Sequence, residues 1–153
     1  MRLMRAVAGS AVAIGASLVV ACQDATGPDA VESAKARSVA VLEASTFEYP
    51  AAAGGAECWV TFPAWADAYQ IKRRPFTCGT VLADFRPGTD GAEARQAIQR
   101  VGATMLDFHG ASDGGAWAGV SVRVGEERAV LLALLRLELT RGAQPNFIII
   151  LGP

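Results

Sequence analysis

The chain has 153 residues, 52% of them hydrophobic, and 14 Lys and Arg stand against 15 Asp and Glu. A near-neutral, slightly acidic balance with one His argues against a strongly basic nucleic-acid binder and leaves little for a zinc site. The first 21 residues do not read as part of a fold.

Met1-Arg2-Leu3-Met4-Arg5 is a short basic leader, and residues 6–20 are an apolar run. That run is shorter than the roughly 20 residues a bilayer span needs. Val19-Val20-Ala21-Cys22 fits a bacterial lipobox: branched apolar, branched, small, cysteine. The expectation is a signal peptide over 1–21, cleavage before Cys22, and a lipid on the Cys22 thiol that anchors the chain to a membrane. Gln23, not Asp, follows the cysteine. In the lipoproteins this resembles, that residue favours the outer membrane. Two arginines leave with the leader, so 12 basic residues remain against 15 acidic ones, a net charge near −3. The one cationic cluster left, Lys72-Arg73-Arg74, reads as a solvated loop, and no nucleic-acid partner is expected.

With Cys22 set aside, Cys58 and Cys78 remain, and an oxidising compartment would join them. No CxxC motif occurs and His109 is the only histidine, so a metal site is not expected. Closing a loop of this length stabilises by about 3 kcal/mol in the chain-entropy model. Residues 22–45 read as a flexible tether: polar and turn-rich at first, then Ala- and Val-rich with the makings of a marginal helix. As a flexible chain it would reach on the order of 25–30 Å. Residues 46–79 form a disulfide-closed segment holding Trp59, Phe62, Trp65, Tyr69 and Phe76. These aromatics are expected to pack on the disulfide and cap one edge or end of the main domain.

Residues 80–153 carry the readable fold. The first strand spans 80–85, with Val81, Ala83 and Phe85 on one face and Leu82 and Asp84 on the other. Pro87-Gly88 breaks it. Asp90 and Glu93 suit a capping box, Ala94, Ala97, Ile98 and Val101 form a helical stripe, and Gly102 ends that helix. A strand at 103–108, a Gly-rich hairpin at 110–115 and a strand at 117–124 follow. Val120, Val122 and Val124 alternate with Ser121 and Arg123. A second helix starts near Glu126-Glu127, where carboxylates suit the helix dipole, and its Leu-rich body runs through 129–137. The last strand is placed at 147–151. The order βαββαβ with right-handed crossovers predicts an α+β, ferredoxin-like fold: a four-stranded antiparallel sheet with two helices on one face, preceded by the disulfide-closed segment.

Several short elements recur here in the order and spacing of a known family. They are Phe85-Arg86-Pro87-Gly88-Thr89, Val101-Gly102-Ala103, Val120-Ser121-Val122-Arg123-Val124, the Leu spacing from Leu131 to Leu137, and Ala143-Gln144-Pro145-Asn146-Phe147. Together they resemble the prodomain that precedes the catalytic domain of subtilisin-like serine proteases. The family often has acidic residues where this chain has Ala143-Gln144, and this chain ends in Gly152-Pro153. No catalytic domain follows, so the expectation is a prodomain-like module without its protease. The resemblance implies that the exposed sheet face docks on a protease while the C-terminal tail lies extended in its cleft. Mapped here, the face is Leu82, Asp84, Asp107, Ser121 and Arg123, and the tail is Ile149, Ile150, Leu151, Gly152 and Pro153.

The residues offer no catalytic constellation. His109 sits at the mouth of the Gly-rich turn and reads as a solvated side chain, and Asp84, Asp107, Glu126 and Glu127 show no paired-carboxylate spacing. An enzyme is therefore not expected, nor a cofactor, metal or small-molecule substrate. Two classes of function stand: an envelope lipoprotein that binds a subtilisin-type serine protease, as inhibitor or folding helper, and a structural or interaction lipoprotein that shares only the fold.

Overall fold

A computed structural model describes residues 27–50, 57–66, 71–110 and 115–148. Expectations for the leader, Cys22, Tyr69 and the tail 149–153 lie outside the described residues. Among the described residues the architecture is α+β, with three helices and one antiparallel sheet. In chain order the elements are α1 (Pro28–Ala44), β1 (Thr46–Glu48), β2 (Glu57–Thr61), β3 (Arg73–Phe85), α2 (Gly91–Arg100), β4 (Thr104–Gly110), β5 (Ala116–Ser121), α3 (Glu127–Arg136) and β6 (Thr140–Phe147).

The long strand β3 organises the sheet. Its first half pairs with β2, which pairs with β1; its second half pairs with β5, which pairs with β4. Phe76 has Cα partners in both β2 (Cys58) and β6 (Phe147), so β6 runs along the opposite edge of β3. The sheet is thus six-stranded rather than four-stranded, and the segment before residue 80 extends it instead of merely capping it. The handover on β3 occurs at Gly79, whose φ of +72° is a left-handed conformation that a side chain would strain.

Three sequence-based strand limits shift, each for a physical reason. The first strand starts at Arg73, not at residue 80, because the glycine bends the chain without ending it. The third ends at Ser121 rather than at residue 124. Ser121 already faces the last paired residues of its neighbours, Thr80 and Thr104, and Val124 is exposed. The last strand is Thr140–Phe147, ahead of the apolar run expected to form it. Pro145 lies inside it, buried opposite Val81, and β6 pairs only with β3. Proline, which lacks a donor, is tolerated on such an edge strand.

Helix α2 forms as its sequence dictates. Asp90 Oδ1 accepts from the N–H groups of Ala92 (2.8 Å) and Glu93 (2.9 Å), and the Asp90 N–H donates back to Glu93 Oε2 (3.2 Å). The main core lies between one face of the sheet and the helices: Val81, Ala83, Phe85, Ala118 and Val120 meet Ala94, Ile98, Leu131, Leu134 and Leu135. A smaller core gathers Cys58, Val60, Phe62, Phe76 and Val41 around the disulfide. Cys58 and Cys78 are joined, their Cα atoms 5.2 Å apart, diagonally across the β2–β3 pair.

Residues 28–44, expected as tether with a marginal helix, form α1. Leu42 enters the main core and Val41 the smaller one, so the helix bridges the two. The buried Lys35 Nζ donates to the Leu137 carbonyl at the end of α3 (3.1 Å) and to Glu32 Oε1 (3.3 Å). A cation there also complements the negative end of the α3 dipole.

A buried carboxylate locks β3 and the turn before α3 together, with Tyr49 of the N-terminal segment beside it. Glu127 has no exposed surface, and its two oxygens accept the Gly79 and Gly125 N–H groups, each at 2.7 Å. Burial, then the charge and nearness of the Glu127 carboxylate, push the Tyr49 phenol well above its usual range. A raised folded pKa gives stability fully present below the unfolded value of about 10 and lost as pH rises through the folded one. In an alkaline absorbance titration, the phenolate signal removed by Tyr49→Phe should therefore appear only with unfolding. Ionisation of Tyr49 near pH 10 with the fold intact would contradict the lock.

Candidate functional site: an open sheet face

Antiparallel pairing brings alternate residues of neighbouring strands onto one face. Opposite the helices, three rungs result. Thr104, Ser121 and Thr80 form the first; Asp107, Gly119, Leu82 and Gln144 the second; His109, Trp117, Asp84 and Gly142 the third. Four of the five residues expected on this face, Leu82, Asp84, Asp107 and Ser121, thus share it. Arg123 does not sit on a rung. It lies beyond β5 in the turn before α3, 82% exposed at its side chain and paired with Glu126 at 3.1 Å.

The polar groups of the face are held by one another. Arg141 sits at a register shift in β6 and grips Asp84 with both nitrogens, Nε to Oδ2 at 3.1 Å and Nη2 to Oδ1 at 3.1 Å. Such bidentate pairs fix geometry as well as charge. On β4 a register shift falls between Met105 and Asp107, and Asp107 Oδ1 accepts the Gly119 N–H at 2.6 Å. A Cβ at position 119 would collide with that oxygen, so only glycine leaves the carboxylate room.

The aromatic member is Trp117, 44% exposed on its strand. The His109 imidazole stacks on it with ring centroids 4.1 Å apart and planes at 17°. His109 Nε2 also lies 3.6 Å from Asp107 Oδ2. His109 is therefore more than a solvated side chain: it props an exposed indole against the sheet. Sequence reasoning missed Trp117, His109 and Arg141 because strand register, which composition does not reveal, brings them together. The alternation on β5 was the available signal, since Trp117 is in phase with Gly119 and Ser121.

On this face the Asp84 carboxylate is held by Arg141 and the Asp107 carboxylate by a backbone N–H, with His109 3.6 Å from its other oxygen. Half-exposed Trp117 and half-buried Leu82 share the face with these groups. The cationic triplet is committed elsewhere. Lys72 Nζ donates to the Ala64 and Ala66 carbonyls, Arg73 pairs with Glu48 and covers Trp59, and Arg74 covers Phe147. Of the segment's other aromatics, Phe62 and Phe76 are buried in the smaller core, whereas Trp65 is 56% exposed. No protein-family model, curated protein or solved structure matches the chain.

Proposed function

We propose that the chain is an exported lipoprotein, anchored through Cys22, whose residues 80–153 bind a subtilisin-type serine protease as inhibitor or folding helper. The docking surface in this reading is the open sheet face, and its carrying observation is the three-rung surface that no described element packs on, around a Trp117 that is 44% exposed. The strand order β6-β3-β5-β4, antiparallel throughout, supports a ferredoxin-like βαββαβ unit with α2 and α3 on its other face and β1–β2 as an addition. The tail residues Ile149 to Pro153 enter the reading from sequence alone, as an extended apolar segment that could lie in the enzyme's cleft.

Binding to a catalytically inactivated subtilisin-type enzyme, followed by calorimetry, tests the surface. Truncating a central aromatic anchor costs about 2 kcal/mol or more at an interface. Trp117→Ala should therefore weaken binding at least tenfold, while Arg123→Ala, off the rungs, should change it little. Equal affinity for all three chains would remove the sheet face from the mechanism and leave the structural lipoprotein. The anchor is tested separately: Cys22→Ala should move the protein from the membrane to the soluble fraction. A wild-type protein already soluble would rule the anchor out.

A further inference from the structure

A second surface lies away from the open sheet face. Residues 45–47, Tyr49 and the first two turns of α3 border a cleft of about 560 Å³ that is open to solvent. Ligand pockets span roughly 300–1,000 Å³, so a small molecule fits its size, with one side of it left in water. Its apolar lining comes from Phe47, Ala129 and Leu132, and its polar lining includes Ser45, Tyr49 and Arg128.

The charges of the cleft are unequal in availability. The Glu127 carboxylate beside it is fully buried and taken by the Gly79 N–H and the Gly125 N–H. Ser45 Oγ is likewise committed, to the Val41 carbonyl at 2.7 Å. Arg128 is exposed, and among the described residues it makes no ion pair. Its one hydrogen bond, Nη1 to the Ser45 carbonyl, is long at 3.4 Å. A guanidinium presents a planar fork of donors that suits a carboxylate. One such fork beside an apolar wall matches a ligand with a single acidic head and an apolar body, whereas a polyphosphate would call for several cations.

We propose that this cleft binds an amphipathic monocarboxylate, its head on Arg128 and its apolar chain against Phe47, Ala129 and Leu132. The site is independent of the protease reading, since it shares no residue with the open face.

The probe is decanoate, titrated into the chain from Gln23 onward and followed by calorimetry and by backbone amide shifts. Saturable binding is expected, with shifts concentrated at residues 45–49 and 125–132. Decanol and decyltrimethylammonium should bind at least tenfold more weakly. Arg128→Gln should weaken decanoate at least tenfold while leaving the weak binding of decanol unchanged. Leu132→Gln should weaken both decanoate and decanol, and an unchanged unfolding midpoint checks that each variant is folded. Equal binding of the three probes, indifference to Arg128→Gln, or shifts centred outside the cleft would each overturn the proposal. If a variant fails to fold, the comparison of probes on the unaltered chain still decides.

Discussion

Replacing Glu127 with alanine should cost the fold about 4 kcal/mol, more than any other single side chain on α3 outside the Leu core. The basis is donor accounting. The Gly79 N–H sits where β3 passes from β2 to β5, and no strand pairing covers that residue. The Gly125 N–H precedes α3 and is met by the same carboxylate. A hydrogen bond to a charged group contributes about 1.5–3 kcal/mol, and water restores part of that where the donor's residue is partly exposed, as at Gly79 and Gly125. Glu127→Gln keeps one acceptor oxygen and should lose about half as much. Urea unfolding midpoints at neutral pH provide the check. A Glu127→Ala chain within about 0.5 kcal/mol of the parent, the range of ordinary surface changes, would show that the carboxylate is not the lock described.

The second large effect concerns the disulfide. The double variant Cys58→Ala/Cys78→Ala should lose about 3 kcal/mol, the chain-entropy value for a loop of this size. The bond spans 20 residues in sequence. The loss should also be uneven. Among the described residues Phe62 and Phe76 are the only large side chains fully inside the smaller core, since Phe47, Tyr49 and Phe147 pack on it partly exposed, and the nearby Arg73–Glu48 pair is solvent-exposed and contributes little. Amide exchange in the variant should therefore quicken first in β1, β2 and the first half of β3, before β4 and β5 respond. A uniform rise in exchange, or no change in stability, would contradict this division into two cores.

Much of the second half of the chain was legible because local signals agreed there. Asp90, Glu93 and Gly102 mark both ends of α2, and the alternation of Val81, Ala83 and Phe85 with Leu82 and Asp84 assigns two faces of β3 correctly. What escaped depends on long-range pairing. Gly79 and Pro75 look like breakers, yet β3 runs through both. Pro145 argues against a strand, and the isoleucines after it draw the assignment away from β6. Glu127 reads as a first-turn carboxylate serving the helix dipole, but its side chain turns inward to backbone donors from β3 and from the turn just ahead of it. The weakly patterned α1 gains its place from two buried residues, Val41 and Leu42, and from one buried lysine, which no periodicity in that stretch announces. On the candidate site, the face of Leu82, Asp84, Asp107 and Ser121 followed from strand alternation. The His109–Trp117 stack and the Arg141 clamp required the register between strands, and Arg123 fell away because β5 stops before it.

The central proposal, that residues 80–153 engage a subtilisin-type protease, is tested most directly by inhibition. The chain from Gln23 to Pro153 would be assayed against a panel of subtilisin-type enzymes, including those encoded in its own genome, beside a version ending at Phe147 and the Trp117→Ala variant. The account predicts inhibition of at least one enzyme at micromolar concentration, weakened by removal of the tail and by loss of the indole. No inhibition across the panel, or inhibition untouched by both changes, would contradict it.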